Sequence, residues 1–347
     1  MEGISLEELA LAARNHGMPL EALRYPVTPV GLHYLLIHYD VPVVEPETWR
    51  LTVRGERELV LGLEELRARP AAEVTVTMEC AGNGRAKLDP RPVSQPWLLE
   101  AVGTARWRGT PLRPLLEEAG IGGAVEVLCT GLDRGIEAEE EQAFQRSLPL
   151  EEALRGEVLL AYEMNGAPLP PQHGFPLRLV VPGWYGMTNV KWLERIELVD
   201  TPFAGYQNSW SYRLRQAEDE EGVPLDRMQP RSLMVPPGIP EFMTRDRTVA
   251  AGEVLLQGRA WSGHAPVEEV EVSTNAGETW DAAELEPAGE PWAWRGWSFR
   301  WSAEPGEHVL CCRARDEARN EQPHEPPWNL GGYANNAVQA VRVTVTP

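Results

Sequence analysis

The stretch Val74-Thr75-Val76-Thr77-Met78-Glu79-Cys80-Ala81-Gly82-Asn83-Gly84-Arg85 concentrates more chemistry than any other in the 347-residue chain. Apolar and polar residues alternate up to Cys80, which predicts a strand, and Gly82, Asn83 and Gly84 then supply positions that tolerate positive φ. A turn of that kind lets backbone N–H groups converge on one small cavity, here beside a thiol and a guanidinium. The cavity suits a thiolate held next to an anion. The same spacing also puts Cys80 on the apolar face of Val74, Val76 and Met78, where a cysteine serves as a small buried hydrophobe. A dinucleotide fingerprint is absent, because the third glycine is missing and the turn leads to Lys87-Leu88-Asp89-Pro90 rather than to a helix.

A second concentration is His173-Gly174-Phe175-Pro176-Leu177-Arg178-Leu179-Val180-Val181, followed by Asn189-Val190-Lys191-Trp192. Arg178 interrupts an otherwise apolar strand, and a charge buried there needs a counter-charge. Either an anionic ligand or a structural carboxylate would supply it. No Cys-x-x-Cys, His-Glu-x-x-His or haem-attachment spacing occurs.

The elements that must position these residues are legible in outline. Ser5 with Glu8 forms a capping box ahead of Leu6, Leu9 and Leu11, and Gly17 stops the helix. From Arg50 to about Val199 short strands alternate with helical pieces such as Leu112 to Ala119, an α+β pattern. A proline- and arginine-rich stretch from Leu198 to roughly Pro240 reads as a linker. Beyond it, Val254-Leu255-Leu256, Val270-Glu271-Val272, Trp297 to Trp301, Val309-Leu310-Cys311 and Val341 to Val345 read as strands of a β-sandwich, separated by turns such as Asn275-Ala276-Gly277. Core and interface filling accounts for most of the tryptophans in this part.

Composition narrows the function classes. With 32 basic against 52 acidic residues the net charge is −20, a field that repels nucleic acid and anionic lipid surfaces. The longest apolar runs are too short to span a bilayer. The acidic start, Met1-Glu2-Gly3, is unlike a secretory signal, so a cytoplasmic protein is expected, periplasmic only if a leader was removed. Four scattered cysteines fit a reducing compartment rather than a disulfide framework.

Cys80-Ala81-Gly82-Asn83 with Arg85, Trp107-Arg108-Gly109, Tyr162-Glu163-Met164-Asn165-Gly166, His173-Gly174-Phe175-Pro176-Leu177-Arg178 and Asn189-Val190-Lys191-Trp192-Leu193 together resemble the sulfite oxidase family of molybdenum enzymes, in its bacterial type without a haem domain. Gly258-Arg259-Ala260-Trp261, Gly277-Glu278-Thr279-Trp280 and Trp328-Asn329-Leu330-Gly331-Gly332 resemble the family's immunoglobulin-like dimerisation domain. The resemblance runs from about Tyr25 to Val345. It implies an α+β molybdopterin-binding domain over residues 1–225, followed by an all-β immunoglobulin-like sandwich over residues 226–347.

Carried over residue by residue, it implies that Cys80 ligates molybdenum. It further implies that Leu36, Ile37, His38, Tyr39, Asp40, Asp133, His173, Arg178, Asn189, Val190 and Lys191 hold molybdopterin. Arg85, Trp97 and Arg295 match the pocket for the sulfur oxyanion, with Tyr212 as pocket tyrosine and Tyr206 as runner-up. The implied activity is oxidation of sulfite, or a related small sulfur oxyanion, by oxygen-atom transfer, with electrons passed to an external acceptor such as a cytochrome, in a homodimer. Two departures weaken the positive field: His38-Tyr39-Asp40 stands where animal sulfite oxidases carry Arg-Asn-His, and Gly84-Arg85 where they carry two arginines. They leave open a molybdenum oxidoreductase on sulfane sulfur, a sulfoxide or nitrate. A binding module with an empty pocket is the non-enzymatic alternative.

Overall fold

The alternating segment that leads to Cys80 forms the strand Ala72–Glu79 in the computed structural model, which describes residues 3–137 and 139–347. It pairs antiparallel with Val102–Pro111, which pairs in turn with Leu159–Met164; that strand carries both Ala167–Pro168 and Arg178–Val180. A second five-stranded sheet runs in the order Glu58–Leu61, Leu51–Arg54, Leu193–Val199, Glu126–Glu137, Glu140–Pro149, with its only parallel pair between Leu51–Arg54 and Leu193–Val199. These two sheets deliver the chemical residues: one ends at Cys80 and begins a strand at Arg178, the other carries Asp133 and follows directly on Lys191.

Helix Leu112–Ala119 shows why the α+β pattern packs. Leu112, Leu115, Leu116 and Ala119 fall on one face and are fully buried, and Gly120, at φ +85°, ends the helix. They join Leu51, Val53, Val127 and Ile196 in one core. The amino-terminal helix spans Leu6–Arg14 with the reciprocal Ser5–Glu8 cap expected from its sequence.

The carboxyl-terminal part is a sandwich of a four-stranded and a six-stranded sheet. All five strands read from the sequence are present, within Gly252–Trp261, Val267–Ser273, Arg295–Ala303, Gly306–Asp316 and Gln339–Thr346. One correction concerns the linker: Arg231–Met234, inside the stretch read as a linker, is a wholly buried strand paired with Gly252–Trp261. Its proline-rich flanks hide a run short enough to escape any periodicity test. Trp297 and Trp301 fill the sandwich core, whereas Trp261 and Trp294 belong to the core of the first part and so lie where the two parts meet.

That junction reaches the residue next to Cys80. Glu79, 2% exposed, takes an ion pair from Arg231 Nε at 3.1 Å and accepts from Trp261 Nε1 at 2.9 Å and Asn83 Nδ2 at 3.0 Å. Two hydrogen bonds add to it, one backbone and one from a side chain: Ala334 N–H donates to Ala81 O, and Asn335 Nδ2 to Gly84 O, both at 2.8 Å. The sandwich therefore clamps the Cys80 turn from behind.

Candidate active site

Strand Ala72–Glu79 places Cys80 at the floor of a cavity lined from both sheets of the first part, with Met78, Ala81 and Arg178 on one side and Asp133 and Phe144 on the other. Of Gly82, Asn83 and Gly84 only Gly84 takes positive φ, at +91°. Asn83 instead spends its side chain locking the turn, donating to Glu79 and to Leu99 O and accepting from the Ala101 N–H. Gly82 leaves room for a different group: a β-carbon there would lie 2.7 Å from the Arg85 guanidinium, which would have to shift. Burial pushes the Cys80 thiol up from its ordinary value, while the charge of Arg85, the Gly82 N–H and the Trp97 indole favour the thiolate. A bound cation would be needed to complete the deprotonation.

At the other end two cations, Arg178 and Lys191, are buried without a carboxylate in ion-pair range among the described residues. Arg178 donates to His173 O and Asn189 O, each at 3.1 Å, and lies 4.6 Å over the Trp107 ring. Its Nε has no partner among the described residues. Lys191 Nζ donates only to the carbonyls of Leu36, at 2.7 Å, and Gln172, at 3.3 Å. Burial lowers Arg178 to about 10 and Lys191 to about 7. Asp133 is raised to about 6, first by burial and against the pull of Lys191, and its Oδ1 is unpartnered. Orphaned buried polar atoms and two cations with no carboxylate in ion-pair range among the described residues fit a bound group carrying both polar ring atoms and an anionic phosphate.

The structure brings Leu36, His38, Asp133, His173, Arg178, Asn189, Lys191 and Tyr212 to the cavity together with Cys80. His38 and Tyr212 share a hydrogen bond of 2.5 Å. Arg85 and Trp97 stand beside the thiol, 6% and 4% exposed. Other expected residues lie elsewhere. The Ile37 N–H is held by Asn15, Tyr39 accepts from Gln207, Asp40 is an exposed side chain capping the Val41 N–H, and Val190 is in the core. Arg295 is not in this cavity: its guanidinium donates to Glu286 O and Val267 O, in a separate groove against the sandwich. Tyr206 heads the short helix Tyr206–Ser209 and does not line the cavity.

Sequence reasoning did not single out His33, Tyr34, Phe144 or Tyr333 as site residues. His33 stands edge-on to His173 at 5.5 Å with its Nε2 unpartnered, and Tyr333 lies 5.3 Å from Tyr212. Gly186 was the available signal for Tyr34, since a β-carbon there would fall 2.3 Å from the Tyr34 hydroxyl.

The three cavity histidines make a testable contribution to stability. Burial lowers His33 to about 4, His38 to about 3 and His173 to about 2. Depressed folded values mean that stability is fully present above the unfolded value near 6.5 and is lost as pH falls below it, at up to about 1.4 kcal/mol per pH unit for each histidine. Asp133, raised in the folded state, acts oppositely and offsets about one of them. Urea midpoints of cofactor-free protein should therefore fall between pH 6.5 and 4.5, by about 2–3 kcal/mol per unit below pH 6. Equal midpoints at pH 7 and pH 5 would contradict these assignments.

Comparison with known proteins follows the same division. The model of the oxidoreductase molybdopterin binding domain matches residues 38–207, and that of the Mo-co oxidoreductase dimerisation domain matches residues 225–346. Sulfite oxidase of Gallus gallus is 39% identical, over 90% of this chain and 72% of its own. Mitochondrial sulfite oxidase of Rattus norvegicus is 37% identical over 92% of this chain, which spans 62% of the rat protein's length. The crystal structure of the sulfane dehydrogenase SoxCD from Paracoccus pantotrophus superposes with a TM-score of 0.82 at 26% identity, covering 95% of this chain and 86% of that one.

Proposed function

The chain belongs to the sulfite oxidase family of molybdopterin oxidoreductases, and from that premise we propose that it oxidises sulfite or a related small sulfur oxyanion by oxygen-atom transfer, passing electrons to an external acceptor such as a cytochrome. The observation that carries this reading is the buried Cys80 thiol facing one cavity with Arg178 and Lys191, two cations with no carboxylate in ion-pair range among the described residues. When bound, the cofactor supplies a metal centre able to exchange an oxygen atom and two electrons with the substrate.

The protein's part is position and field. Cys80 would ligate the metal, while His173, Arg178 and Lys191 would hold the pterin and its phosphate, and Asp133 would meet the pterin's polar edge. Trp97 and Arg85 stand beside the thiol without lining the cavity; Arg85 would draw an anion towards it, and Tyr212 would orient the substrate through its hydroxyl. Residues 1–225 would form the catalytic part and 226–347 the part that pairs two chains in a homodimer. No helix among the described residues is long and apolar enough to cross a membrane.

A second reading, a molybdenum oxidoreductase on sulfane sulfur, a sulfoxide or nitrate, is favoured by the position of Arg295 outside the cavity and by the likeness to a sulfane dehydrogenase. Steady-state kinetics on cofactor-loaded protein separate the two. Sulfite is expected to give a kcat/KM at least about tenfold above the others, about 1.4 kcal/mol of transition-state preference. A higher value for any of the others would replace the first reading with the second.

A further inference from the structure

Three large apolar side chains stand together in solvent at the tip of a hairpin outside the cavity. Ile239, Phe242 and Met243 are 76%, 83% and 78% exposed, on the connection between the paired strands Ile239–Pro240 and Arg247–Ala250. The turn is stapled rather than loose. The Glu241 carboxylate accepts from the Met243 and Thr244 N–H groups at 2.7 and 2.6 Å and from Thr244 Oγ1 at 2.9 Å, and Arg245 is held at φ +62°. An apolar finger fixed in this way and left in water marks a contact surface.

Beside the finger lies a groove of about 670 Å³, walled by Leu20, Lys87 and Leu98 of the first part, by Pro236 and Val341 of the sandwich, and by Arg245 of the hairpin. Phe242 and Met243 do not line it, but Thr244, the next residue, does. Projection and recess are thus contiguous on one molecule, as a two-fold contact requires, since each copy gives and receives with the same patch. Charge points the same way. Two chains of net charge −20 repel one another, and close approach is least opposed where the local charge is not negative. The groove sets four cations, Lys87, Arg245, Arg247 and Arg342, against three carboxylates, Glu21, Glu100 and Asp246.

We propose that in the homodimer the Phe242–Met243 finger of each copy seats in the groove of the other, so that pairing engages the first part of the chain as well as the sandwich. This deepens the homodimer reading given above and rests on it. The partner then braces the site from outside. Lys87 ends the turn Arg85–Lys87, Leu98 follows Trp97, and the Ala86 N–H donates to Trp97 O at 3.0 Å, so the groove wall and the two residues beside the thiol are one connected piece.

The test is sedimentation equilibrium on cofactor-loaded wild type, Phe242→Asp/Met243→Asp, Leu98→Arg and, as a control at an exposed position of the sandwich, Leu255→Arg. Leu98 and Leu255 are each 51% exposed, so all the substituted side chains lie at the surface and urea midpoints should match the wild type. The wild type is expected to be a dimer. The finger variant and Leu98→Arg should each raise its dissociation constant by about a hundredfold or more, and Leu255→Arg should leave it within about threefold. Amide hydrogen exchange gives a second reading: residues 85–100 should exchange more slowly in the dimeric wild type than in the dissociated variants. A dimer that survives the finger and groove variants, or that is lost only in Leu255→Arg, overturns the proposal and leaves the homodimer reading standing. Equal exchange of residues 85–100 in dimer and monomer does the same. A monomeric wild type overturns both.

Discussion

Replacing Cys80 by serine is expected to lower turnover by more than about a thousandfold, about 4 kcal/mol of barrier, while leaving the protein folded. The thiol sits 7% exposed just past the end of its strand, where the Cys80 N–H donates to Ala101 O at 2.9 Å, a backbone bond that serine preserves. What serine removes is the soft ligand. A thiolate binds a molybdenum centre far more strongly than a hydroxyl, which is not deprotonated near neutral pH. Circular dichroism and urea midpoints should match the wild type. A variant with full activity would show that Cys80 is only a buried small side chain, the alternative its sequence context left open.

Arg231→Ala should destabilise the protein by about 3–5 kcal/mol, the cost of stranding a buried carboxylate. Both side chains of the Arg231–Glu79 pair are almost fully enclosed, at 1% and 3% exposure, and without Arg231 the Glu79 carboxylate would keep only the neutral donors of Trp261 and Asn83. Because Glu79 immediately precedes Cys80, the loss should be felt in the site as well as in the midpoint. Replacing both partners with apolar residues should recover much of the stability without recovering the site. A urea midpoint unchanged in Arg231→Ala would mean that the pair does not couple the sandwich to the Cys80 turn.

How far the site was legible follows from the chemistry of each residue. Cys80, Arg178 and Lys191 stood out because a thiol between glycines and cations inside apolar strands are costly unless something uses them. The cofactor-lining segments were found as segments, but not resolved within. Leu36 and His38 face the cavity while Ile37 and Tyr39 turn away, and Asn189 and Lys191 face it while Val190 is in the core. Neither segment is a regular strand, Leu35 lines the cavity beside Leu36, and a resemblance matched across a whole segment does not say which of its residues point inward. Arg295 was placed in the pocket by its match alone. It opens the strand Arg295–Ala303, where its guanidinium closes two local carbonyls, and nothing in its neighbours' types distinguishes that use from binding an anion.

The contribution of Tyr333 and Gly331 was hidden by distance. They come from a loop near the carboxyl terminus that folds back onto Arg85, some 246 positions away along the chain, and only the packing of the sandwich brings them there. The strand Arg231–Met234 was lost to the same cause, since its burial depends on pairing with Gly252–Trp261 rather than on a pattern of its own.

The most direct measurement is the molybdenum and pterin content of the protein purified from a host able to make the cofactor. Stoichiometric molybdenum with pterin released by acid, and loss of the metal in Cys80→Ala, is the result that the cavity of Cys80, Arg178 and Lys191 predicts. Well-folded protein from that host with neither metal nor pterin would contradict it, and would leave a two-part binding module whose architecture has outlived the chemistry.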